Sequence, residues 1–310
     1  MEYAIGVDIG GTTIKAGVIT SQDQVLVTVR RQTPGRDGPA AVLRTCLDAI
    51  DAVRQSVSVD IGGIGVASAG RIDGSGVVAF STDTFRDWAG TPLRQLLETA
   101  TGLPVAVEND ANAAAFAEAM VGAGAGFAST FFVALGTGVG GGWVDRGRIA
   151  HGANGGAGEI GHLLYRAGER PCTCGYAGCF EPYVSVRALA QGYSLRQNRS
   201  CDGRAVLTAF AEGEPAAAAL VREWVKALAA LVYSVQNAYD PHCIVIGGGV
   251  IDDADMWWSN LLGELQSLPL STTVLPAQLK SQAAMVGAAR LLWRTSETKQ
   301  GGSHEHTKIE

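Results

Sequence analysis

The chain has 310 residues, of which 47% are hydrophobic, and a formal net charge of −6. That length allows two domain-sized cores, and the acidic balance argues against a nucleic-acid or anionic-membrane surface, so any phosphate must be held by local structure. No apolar run approaches a membrane-spanning length and the opening residues, MEYAIGVDIGG, enter a strand pattern without a basic leader, so a cytoplasmic protein with reduced thiols is expected.

Tyr3 to Ile9, Ile14 to Thr20 and Val25 to Arg31 read as strands, the first two joined by Gly10-Gly11-Thr12-Thr13, which predicts an opening antiparallel meander. Pro39 can begin a helix on which Val42, Cys46, Ile50 and Val53 fall at helical spacing. A strand over Ile61 to Ala67 then runs into Ser68-Ala69-Gly70-Arg71, and a helix is expected from Thr91 to Thr101. The strand Pro104 to Val107 ends at Glu108-Asn109-Asp110, and the alanine-rich run Ala111 to Met120 favours a helix. Near Thr130 the opening pattern recurs, with Phe131 to Leu135 and Val139 to Asp145 flanking Gly136-Thr137-Gly138. A strand, a glycine turn and a second strand near the start of each half suggest two domains on related plans. Helical stretches follow, the longest from Pro215 to Ala238, then a strand from Cys243 to Ile246 that opens on Gly247-Gly248-Gly249. A last helix spans roughly Gln282 to Trp293, and the polar, aperiodic tail from Thr295 to Glu310, with His304 and His306, reads as frayed and solvated. Strands and helices mixed in this order predict an α/β architecture.

Three of the six cysteines fall in one run, Cys172-Thr-Cys174-Gly-Tyr-Ala-Gly-Cys179, with His162 upstream. Three thiolates and one imidazole make a closed tetrahedral zinc set with no position for a catalytic water, so the metal would hold a loop. A disulfide or free thiols remain open on this spacing, although two cysteines at C-x-C separation pair poorly with each other. Cys46, Cys201 and Cys243 stand apart and read as small buried hydrophobes. Glu159 and Glu181 flank the donor set, so a bound metal would draw two distant carboxylates together.

Asp8-Ile9-Gly10-Gly11-Thr12-Thr13 combines a carboxylate at a strand end with two glycines and two hydroxyls. Glycine lets backbone N–H groups approach phosphate oxygens and threonine adds donors, whereas Asp8 in that setting would sit across a cation. One such turn could be an ordinary hairpin. With Gly136 to Gly142 and Gly247 to Gly249 there are three backbone-exposing elements at strand ends, which suits a nucleotide in an interdomain cleft. None matches the P-loop or the dinucleotide fingerprint.

The motifs DIGGTTIKAGV (8–18), ENDANAAAFAE (108–118), GTGVGGG (136–142), GEIGH (158–162), CTCGYAGCFE (172–181) and IVIGGGV (244–250) resemble, in order, those of the ROK family (repressor, open reading frame, kinase). The resemblance implies a two-domain actin-like ATPase (ribonuclease H-like) fold with an interdomain active-site cleft. Its smaller domain would comprise residues 1–118 with 282–296 and its larger one residues 119–281, leaving 297–310 as a tail. Asp110 corresponds to the family's catalytic base, and a carboxylate there can accept the proton of an attacking sugar hydroxyl. Ser68, Gly70, Asn109, Glu159, His162 and Glu181 match sugar-binding positions, with His162 serving zinc through one ring nitrogen and the sugar through the other. Asp8, Gly10, Gly11, Thr12, Thr13, Lys15, Gly136, Thr137, Gly138 and Gly248 match nucleotide and phosphate contacts. The plain structural alternative for Asp110 is an N-cap on a helix starting at Ala111.

The implied activity is that of an ATP-dependent sugar kinase using Mg²⁺ and a structural zinc. Its acceptor would be a hexose, glucose before N-acetylmannosamine or another N-acylhexosamine, at the 6-hydroxyl, and its assembly a homodimer or homotetramer. Family members that act as sugar-responsive repressors carry a helix-turn-helix ahead of the aspartate-glycine motif, and Asp8 near the first residue with an acidic charge points away from them. A sugar-binding relative without catalysis is the further alternative. The sequence departs from the family where an asparagine before a tryptophan is replaced within Ser81-Thr82-Asp83-Thr84-Phe85, ahead of Trp88, and where Val186 follows Ser185. On this reading, loss of zinc weakens sugar binding far more than nucleotide binding.

Overall fold

A computed structural model describes residues 1–81 and 84–300. In chain order its first elements are β1 (Tyr3–Ile9), β2 (Thr13–Thr20), β3 (Val25–Gln32), α1 (Pro39–Gln55), β4 (Ile61–Ser68), β5 (Arg71–Ile72) and β6 (Val78–Phe80). There follow α2 (Leu93–Thr101), β7 (Val105–Asn109), α3 (Asp110–Val121), β8 (Ser129–Leu135), β9 (Val139–Asp145) and β10 (Arg148–Ile149). The remainder comprises α4 (Glu181–Val184), α5 (Val186–Gln197), α6 (Gly203–Ala211), α7 (Pro215–Tyr239), β11 (Cys243–Gly247), α8 (Trp258–Leu265), β12 (Thr273–Pro276) and α9 (Ala283–Gln300). The chain divides into two compact units, one of residues 1–117 with the chain from 282 onward, the other of residues 118–281.

The first unit is built on a five-stranded sheet of order β3-β2-β1-β4-β7. β1 pairs antiparallel with β2 and parallel with β4, β2 pairs antiparallel with β3, and β4 pairs parallel with β7. Alternation along β1 sends Ile5, Val7 and Ile9 into a core shared with Val42, Cys46, Ile50 and Val53 of α1. On the other face, Gly6 and Gly65 admit α9. A Cβ on Gly6 would stand 2.1 Å from the Met285 carbonyl oxygen and one on Gly65 1.9 Å from that of Ala288. Contact at backbone distance is what these two glycines provide.

The second unit repeats the plan. Its sheet has the order β10-β9-β8-β11-β12, and β8 pairs antiparallel with β9 and parallel with β11, as β1 does with β2 and β4. β9 and β10 are antiparallel and β11 and β12 parallel, so all four pairings correspond. The echo of strand, glycine turn and strand in the sequence is therefore the start of a duplicated five-strand topology. β11 is buried throughout, and α7 lays a long apolar stripe from Ala217 to Val235 against its neighbours.

Several boundaries differ from the sequence reading. α2 starts at Leu93 instead of Thr91, because Pro92 at φ −80° and ψ 70° lies outside the helical region and a residue before proline is itself steered away from it. α9 continues to Gln300, so the tail expected to fray from Thr295 is helical for its first turns. The remainder of that tail, with His304 and His306, lies outside the described residues, as do Thr82 and Asp83 of the divergent Ser81–Phe85 segment. Cys46 and Cys243 are buried as expected, but Cys201 is only partly covered. No helix among the described residues is long and apolar enough to cross a membrane.

Candidate active site and metal-binding loop

In the first unit the turn between β1 and β2 is closed by the Gly10 N–H donating to the Thr13 carbonyl at 3.1 Å. It is braced from the residue after β3, where the Thr33 hydroxyl donates to the Gly10 carbonyl at 2.7 Å and the Thr33 N–H to the Thr12 carbonyl at 2.9 Å. Gly11 and Thr12 are left at the surface, beside a cavity of about 520 Å³ lined by Gly11, Thr33, Arg36 and Thr84. Asp8 and Lys15 are register partners across β1 and β2, and the Lys15 ammonium lies 3.4 Å from Asp8 Oδ2. Burial holds the Asp8 carboxyl above its ordinary range, and Lys15 only partly opposes the shift.

Asp110 is the first residue of α3, and the cap is its neighbour. Asn109 Oδ1 accepts the N–H of Asn112 at 3.0 Å, the bond an N-cap side chain makes to the third helical residue. Asp110 Oδ1 instead accepts the Ala111 N–H at 2.9 Å and the Asn109 side-chain amide at 3.0 Å. That same amide donates to the Gly70 carbonyl at 3.0 Å, tying β7 to the loop after β4. The structural alternative for Asp110, an N-cap, thus falls to Asn109 instead, and the Asp110 carboxylate is oriented by these donors at the helix start. Gly70 holds φ at 101° with no room for a side chain beneath the Phe80 carbonyl.

Ser68 sits differently from its expected sugar-binding place. It is fully buried, accepts the Trp88 indole N–H at 3.2 Å and donates to the Ala69 carbonyl at 3.1 Å, so it supports the Gly70 loop from inside the core.

In the second unit the turn from Gly136 to Gly138 closes with the Gly136 N–H donating to the Gly138 carbonyl at 3.0 Å. A Cβ on Gly136 would meet nothing within 4 Å, so no protein neighbour demands glycine there and the space is open to a ligand. Gly248, at φ 93°, abuts the end of β8, where a Cβ would stand 2.1 Å from the Leu135 carbonyl oxygen. The third glycine cluster therefore borders the 136–138 turn.

Glu159 and His162 lie on one short 3₁₀ turn over residues 159–162, with Glu159 exposed and His162 partly covered. The turn docks on β9, since Cβ atoms on Gly158 and Gly161 would come within 2.4 Å of the Gly141 carbonyl oxygen and 2.3 Å of that of Val139. Glu181 opens α4 and is buried. Its Oε2 accepts the Val139 N–H at 3.0 Å, and its Oε1 accepts the Thr173 hydroxyl at 3.1 Å with Arg187 Nη2 at 3.5 Å. Thr173 and Arg187 carry no motif of their own, and nothing in the sequence pattern points to either.

The four expected metal ligands converge. Their donor atoms, from His162, Cys172, Cys174 and Cys179, all lie within 4.8 Å of one another. Cys172 Sγ is 3.5 Å from His162 Nδ1 and Cys174 Sγ is 3.6 Å from Cys179 Sγ, too long for a disulfide and close to the ligand-to-ligand spacing of a tetrahedron with metal–sulfur bonds of about 2.3 Å. Burial and then the neighbouring Cys174 and Cys172 sulfurs push the Cys179 thiol up to about 12, whereas the Tyr176 backbone N–H draws Cys174 down. A cation among the sulfurs would reverse the first of these and deprotonate the set. The donor set and its spacing fit zinc. With Nδ1 turned to the sulfurs, the ring presents Nε2 on its other side.

A profile of the ROK family matches residues 4–295. The glucokinase of Streptomyces coelicolor is 32% identical over 314 residues, which cover 94% of this chain and 98% of that protein. The N-acetylmannosamine kinase of Salmonella arizonae is 31% identical over 289 residues, covering 93% of this chain and 97% of that one. Among solved structures, a ROK family glucokinase from Streptomyces griseus in complex with glucose and AMPPNP is 32% identical and covers 93% of this chain and 98% of its own, with a TM-score of 0.85.

Proposed function

The chain belongs to the ROK family and has its actin-like ATPase fold, and from that premise we propose that it is an ATP-dependent sugar kinase acting on a hexose, glucose before others, at the 6-hydroxyl. The observation that carries the reading is the Asp110 carboxylate, oriented at the start of α3 by the Ala111 N–H and the Asn109 amide. A base fixed in this way can accept the hydroxyl proton as the sugar oxygen attacks the terminal phosphate, which is the part of phosphoryl transfer that a side chain must supply. Asn109, Glu159, His162 and Glu181 are assigned to sugar hydroxyls, and Gly70 to shaping the loop that Asn109 holds.

Phosphates are assigned to the backbone of the two glycine turns. Gly10, Gly11, Thr12 and Thr13 form the first, and Gly136, Thr137 and Gly138, bordered by Gly248, form the second. Magnesium bound with ATP would neutralise phosphate charge, with Asp8 beside Lys15 as the carboxylate available to its shell. Zinc on His162, Cys172, Cys174 and Cys179 would brace the loop that carries Glu181. A cytoplasmic location and a homodimer or homotetramer complete the reading. The near-equal identity to an N-acetylmannosamine kinase favours an N-acylhexosamine as the second acceptor class.

A coupled assay for ADP release over a panel of hexoses and N-acylhexosamines tests this. Turnover with glucose well above that with the others is expected. Turnover only with N-acylhexosamines would transfer the assignment to them, and no turnover with any sugar, together with sequence-specific DNA binding at low salt, would replace the kinase by a regulator.

A further inference from the structure

Val139, the residue that leaves the 136–138 turn, is bonded through its N–H and closely packed at its carbonyl by the segment that carries the cysteine loop. Its N–H donates to Glu181 Oε2 at 3.0 Å, and its carbonyl is the atom that leaves no room for a side chain on Gly161, next to His162. Gly138 is packed onto the same carboxylate, for a Cβ there would stand 2.6 Å from Oε2. The other oxygen of Glu181 reaches into the C-x-C element, where the Thr173 hydroxyl donates to it at 3.1 Å. One buried carboxylate thus spans from the glycine turn to the cysteine loop, with Oε2 bound at the turn and Oε1 at the loop, where Arg187 Nη2 also lies 3.5 Å away. A charge-assisted bond to a buried carboxylate is stronger than a neutral one, so this link fixes the turn's position more firmly than the hairpin alone would.

We propose that Thr173 and Glu181 are positioning residues for phosphoryl transfer, which hold the Val139 N–H, and with it the 136–139 turn, on the cysteine loop. The proposal rests on the assignment of that turn to phosphate, but the mechanical link can be measured without it. Loss of the loop's order, whether by loss of metal or of Thr173, would loosen the turn. Nucleotide affinity then depends on the cysteine loop as well, so loss of the loop's order should weaken nucleotide binding along with sugar binding.

The test uses Thr173→Val, which removes the hydroxyl from an exposed residue and keeps its shape, with Thr173→Ser as the variant that restores it. Hydrogen exchange of the peptide containing Val139 is followed in the full-length protein without ligands, and AMPPNP binding is measured by calorimetry without sugar. Thr173→Val is expected to exchange faster at Val139 and to bind AMPPNP about 3- to 10-fold more weakly, with metal content unchanged and Thr173→Ser close to the parent in both. Unchanged exchange at Val139, or parental AMPPNP affinity in a variant that exchanges faster, would overturn the proposal. Should the parent phosphorylate no sugar, the kinase reading fails, while the exchange result still decides the link.

Discussion

Asn109 caps α3 through Asn112, its Oδ1 accepting the Asn112 N–H at 3.0 Å, so the N-cap is not the adjacent Asp110. Substitutions at the two residues should therefore differ in what they cost. Asn109→Ala should cost about 1 kcal/mol of stability through loss of the cap, measured by urea unfolding. Asp110→Asn keeps the helix start and should leave unfolding within about 0.5 kcal/mol, with sugar affinity within about twofold. Its turnover should fall at least 100-fold, in line with removal of a general base at about 10²–10⁴. Near-normal turnover in Asp110→Asn would remove it from the catalytic role.

Asp8 offers a pH test with a definite sign. Its carboxyl is raised by burial, against the partial opposition of Lys15, so the folded state holds the proton more tightly than the unfolded chain does. Such a group costs stability progressively as pH rises from the unfolded value of about 4. Asp8→Asn cannot ionise, and relative to the parent it should gain stability between pH 4 and 7 in urea unfolding, with the difference shrinking in acid. Phosphoryl transfer should fall at least tenfold in the same variant, as expected where a destabilising charge is kept for function. A variant less stable than the parent at pH 7 would show that the Lys15 pairing outweighs burial.

Much of this arrangement is legible along the chain because it depends on local chemistry. The two strand–turn–strand runs at residues 3–20 and 131–145 carry their own glycine turns, so the related plan of the two halves shows before any long-range pairing is known, although the shared five-strand order does not. The candidate metal-donor set is equally plain, since Cys172, Cys174 and Cys179 are close in sequence and only His162 must be brought in. What stays hidden is set by partners distant in the chain. β12, from Thr273 to Pro276, exists through pairing with β11 and has little apolar pattern of its own. Ser68 reads as a loop hydroxyl until Trp88, twenty residues on, claims it. Thr173 looks like a spacer between two ligands, and only the fold sets it against Glu181.

Metal uptake should release protons and weaken as pH falls. Burial and the neighbouring sulfurs raise the Cys179 thiol to about 12, so at neutral pH the metal-free loop holds that proton, and a bound metal must displace it. Zinc titration of chelator-treated protein in weak buffer with a pH indicator should show net proton release, and the apparent affinity should fall on going from pH 8 to pH 6. Chelation should also lower the thermal midpoint and weaken AMPPNP as well as sugar binding, because Glu181 spans both sides. Binding of zinc without proton release would mean that the thiols are not the ligands.

Gly136 and Gly138 lie two residues apart and should respond differently to the same substitution. A methyl group on Gly138 would be forced to 2.6 Å from Glu181 Oε2, so Gly138→Ala must displace a buried carboxylate from the Val139 N–H and should cost about 1–3 kcal/mol. The methyl group of Gly136→Ala enters open space and meets no protein atom within 4 Å. Stability should therefore change by less than about 0.5 kcal/mol, whereas AMPPNP affinity should fall at least tenfold if phosphate oxygens occupy that space. Thermal unfolding and calorimetry on the two variants separate the cases. A Gly136→Ala protein that binds AMPPNP as tightly as the parent would show that the bare backbone at Gly136 does not approach the nucleotide, and would shift the phosphate contacts of this unit toward Thr137 and Gly248.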